Sequence, residues 1–250
     1  MTPPFVYRDG RLCCEGVPLA EIARAVGTPA WVYSRARVEE NYRAVVRAFA
    51  PLRAHVHYAL KANANLAILR LLAGLGAGAD VVSGGEVFRA LRAGFPAEHI
   101  VFAGVGKTRA ELIYALRNGI GWFNIESEQE LALLNRLARE IGKGTARVAL
   151  RLNPDVLADT PKHIATGHAA AKFGVELPTA TRLAREWGRF PNLRLEGVHV
   201  HIGSQLRTPE ATVKAARRAL GFVEEARAAG HSLHTLDIGG GFPIVYDEGE

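Results

Sequence analysis

Cysteine is scarce. Cys13 and Cys14 are the only two in 250 residues, and they are adjacent. Neighbouring cysteines cannot staple distant segments, so a disulfide framework is excluded and a reducing, cytoplasmic setting is the simpler expectation. Long hydrophobic runs are lacking too: no uncharged apolar stretch reaches the roughly 18 residues a membrane span needs. The opening Met-Thr-Pro-Pro-Phe-Val-Tyr-Arg-Asp does not follow the basic-then-apolar order of a secretory signal. No low-complexity segment or linker interrupts the chain. Basic charge is in excess, at +6, but it is not segregated. Acidic residues interleave with basic ones, as in Arg35-Ala-Arg-Val-Glu-Glu40, which argues against a nucleic-acid partner and suits a small anionic ligand. What is present, 48% hydrophobic and 22% charged residues, excludes disorder and fits one large domain with at most a small appendage.

Short apolar runs alternate with amphipathic stretches. The runs are Ala30–Tyr33, His55–Leu60, Ala79–Val82, Ile100–Ala103, Trp122–Ile125, Arg147–Leu152, Gly197–Ile202 and Thr235–Ile238. Apolar residues at helical spacing mark Val38–Phe49, Leu66–Leu75, Gly85–Ala93, Ala110–Leu116, Ser127–Ile141, Pro178–Trp187 and Pro209–Ala229. Ser127 followed three residues later by Glu130 is a capping-box signal. Strand–helix repetition predicts an α/β protein with a parallel sheet, because parallel strands need crossovers. The repetition runs on without a break, and polar residues gather at the ends of many strands rather than at one switch point. Both features favour a TIM-type (β/α)8 barrel over a doubly wound sheet. Residues 1–29 read as a separate β segment with Asp9-Gly10 as its hairpin turn, and residues 30–250 as the barrel.

The candidate chemistry lies at those strand ends. Lys61 ends an apolar strand, where a water-poor pocket would disfavour its ammonium and free the amine to attack a carbonyl; a lysine snorkelling to solvent is the alternative. Gly239-Gly-Gly241 follows a strand, and consecutive glycines suit close approach and an amide cradle for phosphate, or simply a flexible turn. His199 and His201 share a strand face by the period of two. Such a pair could bind a metal, stack on a cofactor ring, or in the case of His199 serve the core. We expect no metal, because the pair comes late in the repetition. Gly203-Ser204 would add an amide and a hydroxyl. Asp80, Ser83 and Glu86 could orient the lysine or a histidine, although helix capping competes for Ser83 and Glu86. Arg151, inside an apolar run, needs a buried partner. An imine-forming lysine, a phosphate cradle and a ring-stacking histidine together describe a pyridoxal 5'-phosphate site.

Four segments carry a family resemblance: Tyr58-Ala-Leu-Lys-Ala-Asn63, Gly78-Ala-Asp-Val-Val-Ser-Gly-Gly-Glu86, Gly197-Val-His-Val-His-Ile-Gly-Ser-Gln205 and Leu236-Asp-Ile-Gly-Gly-Gly-Phe-Pro243. The chain resembles the alanine-racemase-like (fold type III) pyridoxal-phosphate decarboxylases. His163-Ile-Ala-Thr-Gly167, Lys172-Phe-Gly174 and the ending Gly203-Ser-Gln205 point to the branch that acts on diaminopimelate. The resemblance implies that Lys61 holds the cofactor, His201 stacks on its ring, and Ser204, Gly239, Gly240 and Gly241 bind its phosphate. Asp80, Glu86 and Arg151 would form the polar shell. It implies a homodimeric lyase that makes L-lysine and carbon dioxide from meso-2,6-diaminopimelate, the last step of lysine biosynthesis, with no nucleic-acid or membrane partner. Ornithine or arginine decarboxylation, or racemisation, is the runner-up. The family continues into a Glu-Pro-Gly-Arg segment and a β-domain that these 250 residues do not include. From the resemblance we therefore expect about seven barrel strands, with Ala30–Tyr33 outside them, and a chain inactive alone.

Overall fold

A computed structural model describes residues 3–142, 144–156 and 173–244. The N-terminal unit is a three-stranded antiparallel sheet, β1 (Phe5–Arg8), β2 (Arg11–Cys14) and β3 (Val17–Pro18), followed by helix α1 (Leu19–Val26). Asp9 and Gly10 both have positive φ, 48° and 72°, as a two-residue hairpin turn of the primed type requires. The helix adds to the purely β segment expected for residues 1–29. The strand expected at Ala30–Tyr33 is not formed. That stretch has no strand partner among the described residues, and Trp31 is 90% exposed.

The rest is β/α repetition. Helix α2 (Arg35–Phe49) leads into β4 (His57–Ala59), α3 (Leu66–Gly74), β5 (Gly78–Val81), α4 (Gly84–Ala93), β6 (Ile100–Phe102), α5 (Arg109–Arg117), β7 (Trp122–Ile125) and α6 (Glu128–Ile141). Then come β8 (Ala146–Asn153), β9 (Val175–Glu176), α7 (Leu177–Arg185), β10 (Leu193–Val200), α8 (Glu210–Ala228) and β11 (Thr235–Asp237). Five of the eight described α-helices start where a side chain caps them. Ser34, Asn65, Ser83, Thr108 and Ser127 each accept an amide from the first turn. The full reciprocal capping box is at Thr108 and Glu111. At Ser127 only half of the expected box forms, because the Glu130 carboxylate takes the amide of Glu126, one residue further back.

The sheet runs in the order β4-β5-β6-β7-β8-β10-β11, every pairing parallel, with β9 added at the end of β8. Strands neighbour one another in chain order without reversal, which is barrel winding and not the doubly wound alternative. The sheet also curls. In a flat sheet β7 and β11 would lie about 14 Å apart, three strand spacings. Instead Asn124 Nδ2 on β7 donates to Asp237 Oδ2 on β11 at 3.1 Å. The result is a seven-strand partial TIM-type barrel wrapped by helices.

Pleating divides the strands into two faces. Ala79, Val81, Ile100, Phe102, Phe123, Ile125, Val148, Leu150, Val198 and Val200 are buried in one hydrophobic core with the helices. The paired register Arg151↔His199↔Asp237 puts three polar residues in one row on the opposite, lumen side. β10 reaches this parity through a bulge: the register shifts between Leu195 and Gly197, so Leu193 and Leu195 share the core face with Val198 and Val200. Without that extra residue His199 would point into the helices.

Candidate active site

The C-terminal ends of the strands form the mouth of the barrel. Lys61 sits there in a short 3-10 turn, Leu60–Ala62, immediately after β4. Leu60 is fully buried but Lys61 is exposed, so the water-poor pocket expected for it is not found. The strand ends at Ala59, and the turn lifts the next side chain into the open mouth. Its charge reaches Asp80, at the end of β5, and His201, just past β10. Burial, followed by the charge of Asp237, pushes the Asp80 carboxyl up to about 7. Burial, followed by the Arg151 guanidinium, pushes the His201 imidazole down to about 3. The site therefore holds a histidine that stays neutral and an acid that titrates near neutrality.

His199 lies deeper. Its Nε2 is 3.9 Å from Asp237 Oδ2, and burial holds the ring below its usual range. Its Nδ1 is buried without a partner among the described residues. Burial works to raise Asp237, but His199, the Gly239 amide and Asn124 outweigh it and hold that carboxyl down. Although deep in the barrel, 36% of the Asp237 side chain is open, because it borders the lumen. Since β10 ends at Val200, His201 follows the strand instead of sharing its face with His199 as expected.

The loops after β10 and β11 are zipped together. Leu206 N donates to Gly241 O at 2.9 Å, and Gly240 N reaches His201 Nδ1 at 3.5 Å. The Gln205 side chain makes two bonds with the main chain of Ile244. This joins exposed Ser204 to the Gly239–Gly241 turn. The close approach that demands glycine turns out to be to the protein itself. A Cβ on Gly239 would meet His201 Nδ1 at 2.7 Å, and one on Gly241 would meet Gly203 O. Only at Gly240 would a Cβ meet nothing within 4 Å. The Gly239 amide is already donated to Asp237 Oδ1 at 2.8 Å.

Arg151 has its partner: Nη1 donates to Glu126 Oε1 at 2.6 Å, and Phe173 stacks 4.9 Å from the guanidinium. Gly174 N donates to the other oxygen of Glu126. Gly174 has φ +78°, and a Cβ there would meet Arg151 O at 2.9 Å. His163–Gly167 and Lys172 lie outside the described residues. Ser83 and Glu86 perform the capping job that competed for them. Ser83 Oγ accepts the Glu86 amide, and the Glu86 carboxylate accepts the Val82 amide at 2.8 Å. Glu86 still acts on Asp80 through its charge.

Sequence reasoning overlooked His57, Asn124, Glu126 as the partner of Arg151, Asp237 and Lys107. Lys107 is a buried ammonium with three acceptors: Gly104 O, Asn124 O and Glu130 Oε1 at 2.6–2.8 Å. That satisfies all three of its protons and ties the loop after β6 to β7 and α6. For Asn124 and Asp237 the signal was present, since each stands between two apolar residues of its strand.

Comparisons with known proteins identify the family. A family-wide sequence model described as pyridoxal-dependent decarboxylase, pyridoxal binding domain, matches residues 35–250. The diaminopimelate decarboxylase of Aquifex aeolicus is 45% identical over 244 residues, which is 98% of this chain and 57% of that protein. A crystal structure of diaminopimelate decarboxylase from M. jannaschii in co-complex with L-lysine is 38% identical with a TM-score of 0.90, over 98% of this chain and 58% of that one. The arginine decarboxylase of Paramecium bursaria Chlorella virus is 25% identical with a TM-score of 0.75, over 90% of this chain and 58% of that one. The chain thus spans a little over half the length of these relatives. It belongs to the pyridoxal-dependent decarboxylases and carries the pyridoxal-binding domain of that family.

Proposed function

We propose that the protein binds pyridoxal phosphate at the barrel mouth and decarboxylates meso-2,6-diaminopimelate, yielding L-lysine and carbon dioxide. The observation that carries this reading is the convergence of Lys61, Asp80 and His201 beside two interlocked loops rich in main-chain amides. The residues fit the cofactor. Lys61 offers an amine that an aldehyde can reach. His201 is uncharged and presents a flat ring to the pyridine. The phosphate fits beside Gly240, where nothing stands within 4 Å of an added Cβ, with Gly241 and the Ser204 hydroxyl beside it and Gly239 opening the turn. Asp80, Arg151 and Glu86 complete the polar surroundings, Arg151 held in place by Glu126.

When bound, the cofactor supplies an electron sink for the pair left on the substrate carbon as its carboxylate departs. The chain's own residues do the rest. Lys61 would hold the cofactor, and its amine stands exposed at the mouth, where an incoming substrate amine can reach it. Asp80 can hold or release a proton near pH 7 beside it. The row of Arg151, His199 and Asp237 forms the floor beneath.

Identity favours diaminopimelate over arginine as substrate: 38% against 25% in the two solved structures. We further propose a cytoplasmic homodimer acting in lysine biosynthesis, with residues 1–29 as a unit separate from the barrel of 30–250. Among the described residues no helix is long and apolar enough to cross a membrane. The test is a substrate panel on the cofactor-loaded protein extended to the length of its relatives, with these 250 residues alone as the comparison expected to be inactive, measuring carbon dioxide release and chiral product analysis with meso-diaminopimelate, ornithine and arginine. Lysine and carbon dioxide from diaminopimelate alone is the expected result. Carbon dioxide chiefly from ornithine or arginine, or inversion without gas release, would overturn the substrate assignment.

A further inference from the structure

Asp237 makes more structural contacts than a lumen residue needs. Its Oδ1 accepts the amide of Gly239, two residues on, which closes an Asx turn at the entry to the triple glycine. Its Oδ2 accepts from Asn124 Nδ2 across the lumen and lies 3.9 Å from His199 Nε2. The turn it closes is followed directly by Gly239 at φ +70° and by the bond from Gly240 N to His201 Nδ1. One carboxylate thus connects β7, β10 and the glycine turn. The Gly239 amide, committed to Asp237, is not offered to a ligand.

We propose that Asp237 is the positioning residue of the phosphate-binding turn: anchored on Asn124, it bends the chain so that the open side of Gly240 and the interlocked Ser204 loop face the phosphate. The proposal rests on the pyridoxal-phosphate reading and concerns the phosphate alone. The remainder of the cofactor is held elsewhere, by Lys61 and His201.

Pyridoxal, the same vitamer without phosphate, separates the two contributions. Binding of pyridoxal phosphate and of pyridoxal is titrated by absorbance on the whole protein, for wild type, D237A and D237N. The ratio of the two affinities should fall about tenfold in D237A, the factor that loss of a charge-assisted hydrogen bond brings. In D237N, whose side-chain oxygen can still close the turn and whose amide can donate to the Asn124 oxygen once that side chain turns over, it should stay within about threefold of wild type. An unchanged ratio in D237A, both vitamers weakening by the same factor, would overturn the proposal and leave Asp237 a general support of the fold. Should D237A not fold, N124A decides: it removes the anchor but leaves the turn, and a ratio equal to wild type would overturn the proposal. Wild-type protein that binds neither vitamer would instead contradict the cofactor reading itself.

Discussion

On the outward face of the curled sheet stand Ala79, Val81, Phe102, Phe123, Ile125, Leu150 and Val198, apolar and almost fully buried. The same strands carry Asp80, Asn124, Arg151, His199 and Asp237 at alternate positions facing the lumen. Neighbours in sequence, 3.3–3.4 Å apart along a strand, therefore live in opposite chemistry. The outer face drives folding by removing hydrocarbon from water. The inner face holds ionisable groups that the fold must keep paired, uncharged or open to the lumen. Residues that raise stability and residues that do chemistry are separated by a side-chain period of two.

Truncation on the outer face should cost the most stability and spare the site. Phe123→Ala, at 1% exposure, should lose about 3–5 kcal/mol in denaturant unfolding. Cofactor affinity per folded molecule should not change. If stability is kept while affinity falls, the division between the faces fails. The rim joins the two faces, and there Glu126→Ala should combine both effects. It leaves the buried Arg151 guanidinium without its carboxylate and releases the Gly174 amide. Removing one partner of a buried pair typically costs about 3–5 kcal/mol, and because Phe173 keeps a cation–π contact with the guanidinium we expect the lower end. An unfolding midpoint equal to wild type would show that Arg151 finds another partner.

A third effect should have the opposite sign. Asp80 has its carboxyl raised from 3.8 to about 7, so between those values the folded state binds more protons than the unfolded. Stability then falls with pH across that window. The histidines oppose this trend. His57, His199 and His201 are all held below their usual range, so folding expels their protons and stability rises with pH up to their unfolded value. The difference between Asp80→Asn and wild type isolates the carboxyl. It should grow in favour of the variant from pH 4 to pH 7 and then level off. A difference that is flat with pH, measured by thermal unfolding, would contradict the buried-acid account.

The sequence was informative wherever hydrophobic pattern decides structure. Each run from Leu66 onward matched an element to within a few residues, and sequential winding followed from unbroken repetition. It failed at Ala30–Tyr33, where an apolar run had no neighbouring strand to pair with. The site was half legible. Asp80, Arg151 and His199 stood out as polar residues in apolar runs. Asn124 and Asp237 carry the same signature but were read as parts of whole strands and not divided by face. The parity change in β10 is visible as the three-residue step from Leu195 to Val198, where strand spacing elsewhere is two. Lys107 leaves no trace in the sequence, because its three acceptors are a carboxylate on α6 and two main-chain carbonyls, one in its own loop and one on β7. The exposure of Lys61 depends on where the strand stops, and a boundary shifted by one or two residues turns a side chain from pocket to mouth.

The most direct measurement addresses Lys61. The protein is incubated with pyridoxal phosphate, reduced with borohydride, digested and mapped by mass spectrometry, alongside Lys61→Ala treated in the same way. A single pyridoxyl adduct on Lys61, absent from the variant, is the predicted result. An adduct fixed on another lysine, or one of equal yield in the variant, would contradict the account.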